Sequence, residues 1–403
     1  MTAKRVHEQT KQIGWRCIQA WSLVLLLCLI PNAEAVVFLE TGDPEHNTEA
    51  PAGELTNSGW QYLGQWGVFV GTVIGPYHFI TARHVGGVVG QAFEFRGNAY
   101  TSRALYESGP VDLRIWEVCE PMPGPYAPLY LEDDELGRPL VFFGRGAQRG
   151  ESVSLETGLG QEQRGWKMGA ADHRLRWGQN SVAEIVDYAD LFESAEPREL
   201  VFLKAFFDRD GGPDESYVSI GDSGGSVFIE REDEWYLAGI LSGANVIFND
   251  VSEGDGFLAT LFDGGGFYTK RLVGDPFRRP RESNIGCDNL GGTGDEEYEW
   301  VFLDDTEEDV ANAFFAHRIS NYAEWIQDVM AGLVEPCFQG PWAVSSSSVD
   351  GKFRFDVTQE HDPGSRSIRI PVRGNTRFFR ITGCEDRAVT SVELEDEFLI
   401  LSY

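Results

Sequence analysis

Cysteine is scarce in this chain. Its 403 residues include six, and two of these, Cys17 and Cys28, fall within the first 35 positions, leaving Cys119, Cys287, Cys337 and Cys384. No pair among them has the spacing of a zinc site, and neither a GxGxxG nor a phosphate-loop motif is present, so no metal and no cofactor is expected. Four cysteines allow at most two disulfides in three pairings. Joining Cys119 to Cys287 and Cys337 to Cys384 would keep each link within one module. Two links are few for so long a chain, and its stability is expected mainly from apolar cores.

Basic residues are also in short supply. Lys and Arg number 33 against 64 Asp and Glu, a net charge of −31. That imbalance opposes contact with phosphate backbones or anionic membranes, which excludes nucleic acid as a partner. It suits solubility in a salty external medium, and selection for basic substrates is a sharper reading of the same charge. The acidic runs Asp295-Glu296-Glu297 and Asp304-Asp305-Thr306-Glu307-Glu308-Asp309 lack the twelve-residue spacing of a calcium loop and read as solvated loops.

Long apolar runs are missing too. The stretch from Ala20 to Ile30 is eleven residues, too short to span a bilayer comfortably. Lys4, Arg5, Lys11 and Arg16 precede it and Ala33-Glu34-Ala35 follows, a small-x-small pattern. Residues 1–35 therefore read as a secretory signal peptide, and cleavage would leave Val36 at the start of an exported protein, secreted or held in the periplasm or cell envelope, with no membrane insertion. An uncleaved anchor is the alternative.

What is present is a serine framed by glycines: Gly221-Asp222-Ser223-Gly224-Gly225-Ser226. A serine hydroxyl attacks a carbonyl only when a neighbouring base takes its proton and N–H groups receive the developing charge. Glycine allows backbone dihedrals that turn consecutive amides toward one point, so Gly221 and Ser223 are candidates for an oxyanion hole. A Gly-rich turn between strands is the plain alternative. Upstream, His84 follows the strand-like His78-Phe79-Ile80-Thr81-Ala82-Arg83, itself preceded by a second strand-like run, Trp66 to Ile74. Asp112 sits in Val111-Asp112-Leu113-Arg114-Ile115-Trp116, a single acid in an otherwise strand-like run that needs a partner; an imidazole N–H supplies one while its other nitrogen faces the serine.

These blocks, in the order His84, Asp112, Ser223, resemble the trypsin/chymotrypsin family of serine proteases. Gly239-Ile240-Leu241-Ser242-Gly243 is similar to the family strand lining the substrate cleft. Arg318-Ile319-Ser320-Asn321-Tyr322-Ala323-Glu324-Trp325-Ile326 resembles its closing helix. The likeness spans roughly Trp60 to Met330. It implies an all-β fold of two barrels with a C-terminal helix, and a serine endopeptidase acting on protein or peptide through His84, Asp112 and Ser223. Independently of the family, Ile319, Tyr322, Ala323, Ile326, Val329 and Met330 recur at helical spacing, with Asn321 and Glu324 a plausible capping pair.

The resemblance also places the floor of the specificity pocket at Tyr217 and its wall at Ser242-Gly243-Ala244. Tyr217 carries no charge, which predicts preference for an uncharged residue before the scissile bond, although Asp214 and Glu215 are near in sequence. Asp222 takes the place of the family's supporting aspartate, so a freed Val36 terminus is expected to pair with it and order the oxyanion loop. A pro-segment running through the acidic stretch Asp43 to Glu54 is the alternative. The chain departs from animal members in having no cysteine after His84 or beside Ser223.

Residues 36–335 thus read as the protease domain, with an insertion at about 249–312 expected to emerge near the substrate cleft. Residues 336–350 read as a linker. Residues 351–403 alternate at the period of strands and form a small β-module, resembling modules on bacterial exported proteins, that packs, sorts or binds. A catalytically inactive protease fold that binds or scaffolds is the competing function.

Overall fold

The computed structural model describes residues 36–109, 111–187, 200–273 and 297–339, and beyond these the strand segments 342–346, 354–355, 360–362, 367–371, 378–382, 391–395 and 398–402. The expected signal peptide, Cys287 and Cys384 lie outside the described residues, and with them the two expected cysteine pairings.

The first barrel is a closed antiparallel ring. Its strands run in the order Asn98–Glu107, Ala92–Phe95, Leu63–Trp66, Phe69–Val73, His78–Ala82 and Leu113–Val118, and the last pairs back onto the first. Alternation along a strand sends successive side chains to opposite faces. Phe79 therefore fills the barrel with Trp66, Phe93 and Trp116, while Ile80 and Ala82 face outward into a second core. With both faces covered, every residue from His78 to Ala82 is buried. This explains why the segment reads as an almost unbroken apolar run rather than an alternating one.

The second ring is built likewise. The run from Arg176 to Asp187 bends at Val182-Ala183, pairing with Pro139–Gly144 in its first half and Val201–Phe206 in its second. Ser226–Arg231, Glu234–Ala244 and Ala313–Arg318 complete the circuit. Between the rings lies a core shared by both, in which Leu63, Val70, Ile80, Leu113 and Ile115 meet Val141, Phe143, Phe228, Ile240 and Ile319. The expectation of an all-β fold with two barrels and a closing helix is met.

That helix begins as a 3-10 turn over Ile319–Tyr322 and continues as α-helix from Ala323 to Met330. Ile319, Tyr322, Ile326 and Val329 are buried in the shared core, Met330 packs against it and Ala323 is buried too; Ile326 alone, fully buried, contributes about 2 kcal/mol. The capping pair does not form. The 3-10 turn leads straight into the α-helix, Tyr322 holds the N-cap position, and no side chain caps it. The element is anchored instead by Glu135, wholly buried, which receives Arg318 Nε at 2.9 Å, Arg318 Nη2 at 2.6 Å and the Ser320 hydroxyl at 2.8 Å.

Among its described residues the inserted region forms strands. Ile247–Asn249, Phe257–Leu261, Tyr268–Val273 and Glu297–Phe302 join the long hairpin Ala147–Thr157 and Gly160–Ala171 in a third, six-stranded sheet. Its acidic stretch is partly ion-paired rather than simply solvated: Asp305 meets Arg164 at 2.9 Å, and Asp309 holds both Nε and Nη2 of Arg209. In the stretch expected to be a linker, Phe338–Gln339 adds to the first barrel's sheet beside Leu105 and Ala104, and Trp342–Ser346 pairs with Phe378–Thr382. The apolar residues there take up backbone pairing that a Ser-rich linker composition does not suggest. The strands from 342 onward form a three-stranded and a four-stranded sheet.

Candidate active site

Antiparallel pairing brings the histidine and the acid together. Ala82 lies opposite Leu113 in the first barrel, so the residues just after Ala82 and just before Leu113 emerge at the same end of two adjacent strands. There the chain makes a short turn over Arg83–Val85. The Asp112 carboxylate receives the His84 backbone N–H at 2.8 Å through Oδ1, and His84 Nδ1 lies 2.6 Å from Oδ2. Buried Arg83 pins the turn from below, donating to Gly109 O at 3.0 Å and meeting Glu107 at 3.2 Å, which in turn holds Arg114.

Burial and charge oppose one another in this pair. Burial on its own lowers the His84 pKa, but the hydrogen bond and negative charge of Asp112 outweigh it and leave the imidazole above its ordinary 6.5. For Asp112, burial favours the neutral acid, and contact with His84 overrides it and keeps the carboxylate below its usual range. An imidazole oriented through Nδ1 presents Nε2 outward, and the His84 side chain is 46% exposed.

The serine stands on the facing wall. Gly224 N–H donates to Leu241 O at 2.9 Å and Leu241 N–H to Gly225 O at 2.8 Å, which ties the Gly221–Gly225 loop to the strand carrying Ser242. The Ser242 hydroxyl donates to Asp112 Oδ2 at 2.9 Å. Glycine is required at 224: φ is +78°, and a Cβ there would lie 2.2 Å from Thr81 Oγ1, in the strand leading to His84. Ser223 and Ser242 line one cavity of about 100 Å³ together with Val218, Ser219, Leu241, Gly243, Ala244 and Val246. The Ser223 hydroxyl and His84 Nε2 make no hydrogen bond to each other. Among the described residues the Gly221 and Ser223 amides are also without partners, and φ of +101° at Gly221 sets the direction of that turn.

The residues read as specificity determinants divide. Ser242, Gly243 and Ala244 line the cavity as expected. Tyr217 does not: it is wholly buried in the second barrel, its hydroxyl donating to Ala313 O at 2.6 Å and Asn245 O at 3.0 Å, and the next residue, Val218, takes the lining place. Neither nearby acid reaches the cavity. Asp214 is held by His46, Asn47 and Gln179, and Glu215 is buried against Asn180 with its pKa pushed up to about 8, chiefly by desolvation.

Asp222 is 1% exposed. Its carboxylate takes the Gly146 N–H at 2.7 Å, the Ser219 N–H at 2.7 Å and the Ser219 hydroxyl at 2.8 Å. The expected ion pair with a freed Val36 terminus belongs to the cut chain; in the uncut chain these neutral donors occupy the carboxylate. Burial still pushes the Asp222 pKa up to about 6 against the pull of its hydrogen bonds and of Arg176.

Sequence reasoning missed two residues at the site. Ser219 carries no signal beyond lying four residues before Ser223. His317 looks like an ordinary strand residue, yet it is buried close enough to Asp112 and His84 to feel both charges, and neither of its ring nitrogens has a partner. Desolvation pushes its pKa down to about 4, so it is neutral at physiological pH. Among the described residues no group of three or more His, Cys, Asp or Glu side chains has the geometry to hold a metal ion.

No family model and no curated protein matches this sequence. Among solved structures it is similar to neuropsin, a serine protease expressed in the limbic system of mouse brain, at 12% identity and a TM-score of 0.38, covering 69% of this chain and 97% of that one. It is also similar to a protein titled HBP at 14% identity and a TM-score of 0.37, covering 68% and 93%. Likeness at this level carries no functional argument.

Proposed function

We propose that the chain is an exported serine endopeptidase that hydrolyses peptide bonds through an acyl-enzyme. The observation carrying this reading is the Asp112 carboxylate, which holds His84 Nδ1 on one side and the hydroxyl of Ser242, a neighbour of Ser223 on the cavity wall, on the other. His84 takes the proton of Ser223 as the hydroxyl attacks the substrate carbonyl. Asp112 fixes the imidazole tautomer and stabilises the imidazolium. The unpaired Gly221 and Ser223 amides receive the oxyanion, and water then repeats the sequence on the acyl-enzyme. In unliganded enzymes such serine–histidine contacts are often open and tighten with substrate in place.

The cavity supports an uncharged residue before the scissile bond. Val218, Leu241, Ala244 and Val246 present aliphatic surface, and the one acid among the lining residues, Asp222, is buried with its carboxylate taken up by Gly146 and Ser219. A peptide panel varying that position tests the reading. Hydrolysis after aliphatic residues, at a kcat/KM at least about tenfold above that after Lys or Arg, is expected from an unpaired charge entering an apolar site. Absence of hydrolysis across the panel, or preference for Arg, contradicts it.

A further inference from the structure

Asp222 sits beneath the oxyanion loop, and everything it binds is neutral and internal. One carboxylate oxygen takes Gly146 N–H, and the other takes both the backbone N–H and the hydroxyl of Ser219. The Ser219 hydroxyl is doubly used, for it also accepts Ala147 N–H at 2.7 Å. Asp222 N–H returns to Ser219 O at 3.1 Å, closing the turn just before Ser223. Both walls are tight: a Cβ at Gly144 would lie 2.0 Å from Asp222 Oδ1, and one at Gly146 would lie 2.5 Å from Ser219 Oγ.

The segment after Val36 is held by other means. Val37 and Phe38 pair with Tyr217 and Ser216, Leu39 N–H donates to Glu215 O at 2.9 Å, and Arg149 Nη1 donates to Phe38 O at 3.2 Å and Leu39 O at 2.9 Å. None of these bonds needs a free terminal amine.

We propose that Ser219 is a positioning residue which, through Asp222, holds the Gly221–Ser223 loop in working geometry in place of a terminal ammonium, so that the site is competent whether or not the chain is cut before Val36. This rests on the protease reading above. Three charge-assisted hydrogen bonds already occupy the carboxylate, and such bonds are roughly twice as strong as neutral ones. Cutting the chain at Val36 then serves export without switching on the chemistry.

The test compares the protein beginning at Val36 with the same protein carrying a short Gly-Ser extension ahead of Val36, each with and without Ser219→Ala, on one peptide substrate. The extended and unextended forms are expected to agree in kcat within about twofold, whereas Ser219→Ala lowers kcat about tenfold or more in both with little change in KM, the pattern of a disordered oxyanion site. Ser219→Thr, which keeps the hydroxyl, is expected to restore part of the loss, and thermal unfolding identifies any variant that fails to fold. An extended form that is inactive until the extension is removed, or a folded Ser219→Ala with parental kcat, overturns the inference while leaving the protease reading intact. No turnover in any form removes that reading and the inference with it.

Discussion

Asp112 grips His84 twice, through the ring at Nδ1 and through the backbone N–H of the same residue, at 2.6 and 2.8 Å. The backbone bond fixes where the turn begins and the ring bond fixes which nitrogen faces the cleft. Position and tautomer are thus set by one carboxylate, and Ser242 holds that carboxylate from the other side.

The pH profile follows from this grip. His84 acts as a base only when neutral, and its pKa stands above 6.5 because Asp112 favours the charged form. The acid limb of kcat/KM is expected to have its midpoint above that value. In Asp112→Asn the hydrogen-bonded charge is gone and burial dominates, so the midpoint moves down, while kcat falls by about 10⁴-fold because the tautomer is no longer enforced. An unmoved midpoint in the variant would argue against the pairing.

His317 makes stability depend on acid. Its folded-state pKa is about 4 against an ordinary 6.5, so the unfolded chain binds a proton that the folded chain refuses. The sign is a loss of stability as pH falls through this window, worth at most about 3 kcal/mol. Denaturant unfolding of His317→Leu is expected to show a flatter dependence between these pH values than the parent. Parallel curves would place the ring outside the core.

Glu135 carries the closing helix. With the carboxylate wholly buried and three donors on it, Glu135→Ala leaves Arg318 and Ser320 unpaired and is expected to cost about 3 kcal/mol. Urea unfolding measures it. A change below about 0.5 kcal/mol, typical of surface sites, would show that the ion pair is not holding the helix.

The sequence is legible where local chemistry is self-contained. His84, Asp112 and Ser223 stand out because a polar residue interrupts an apolar run or is framed by glycines, and both the buried strands and the helical face have clear periods. Tyr217 was misplaced because counting back from Ser223 gives position along the chain but not the direction of a side chain, and the phenol turns into the barrel to reach two carbonyls. Ser219 and His317 were invisible because their settings are made by residues far away in sequence, the Ala147 N–H on the Ser219 hydroxyl and the Asp112 charge near the His317 ring. The third sheet was hidden for the same reason, since its strands pair with a hairpin almost a hundred residues upstream.

The central claim is that Ser223 is a nucleophile activated by His84. Labelling with a fluorophosphonate probe, followed by mapping of the modified peptide, tests it most directly. Stoichiometric modification of Ser223, lost in both Ser223→Ala and His84→Ala, is the expected result; a folded protein that takes up no label, or takes it up elsewhere, contradicts it.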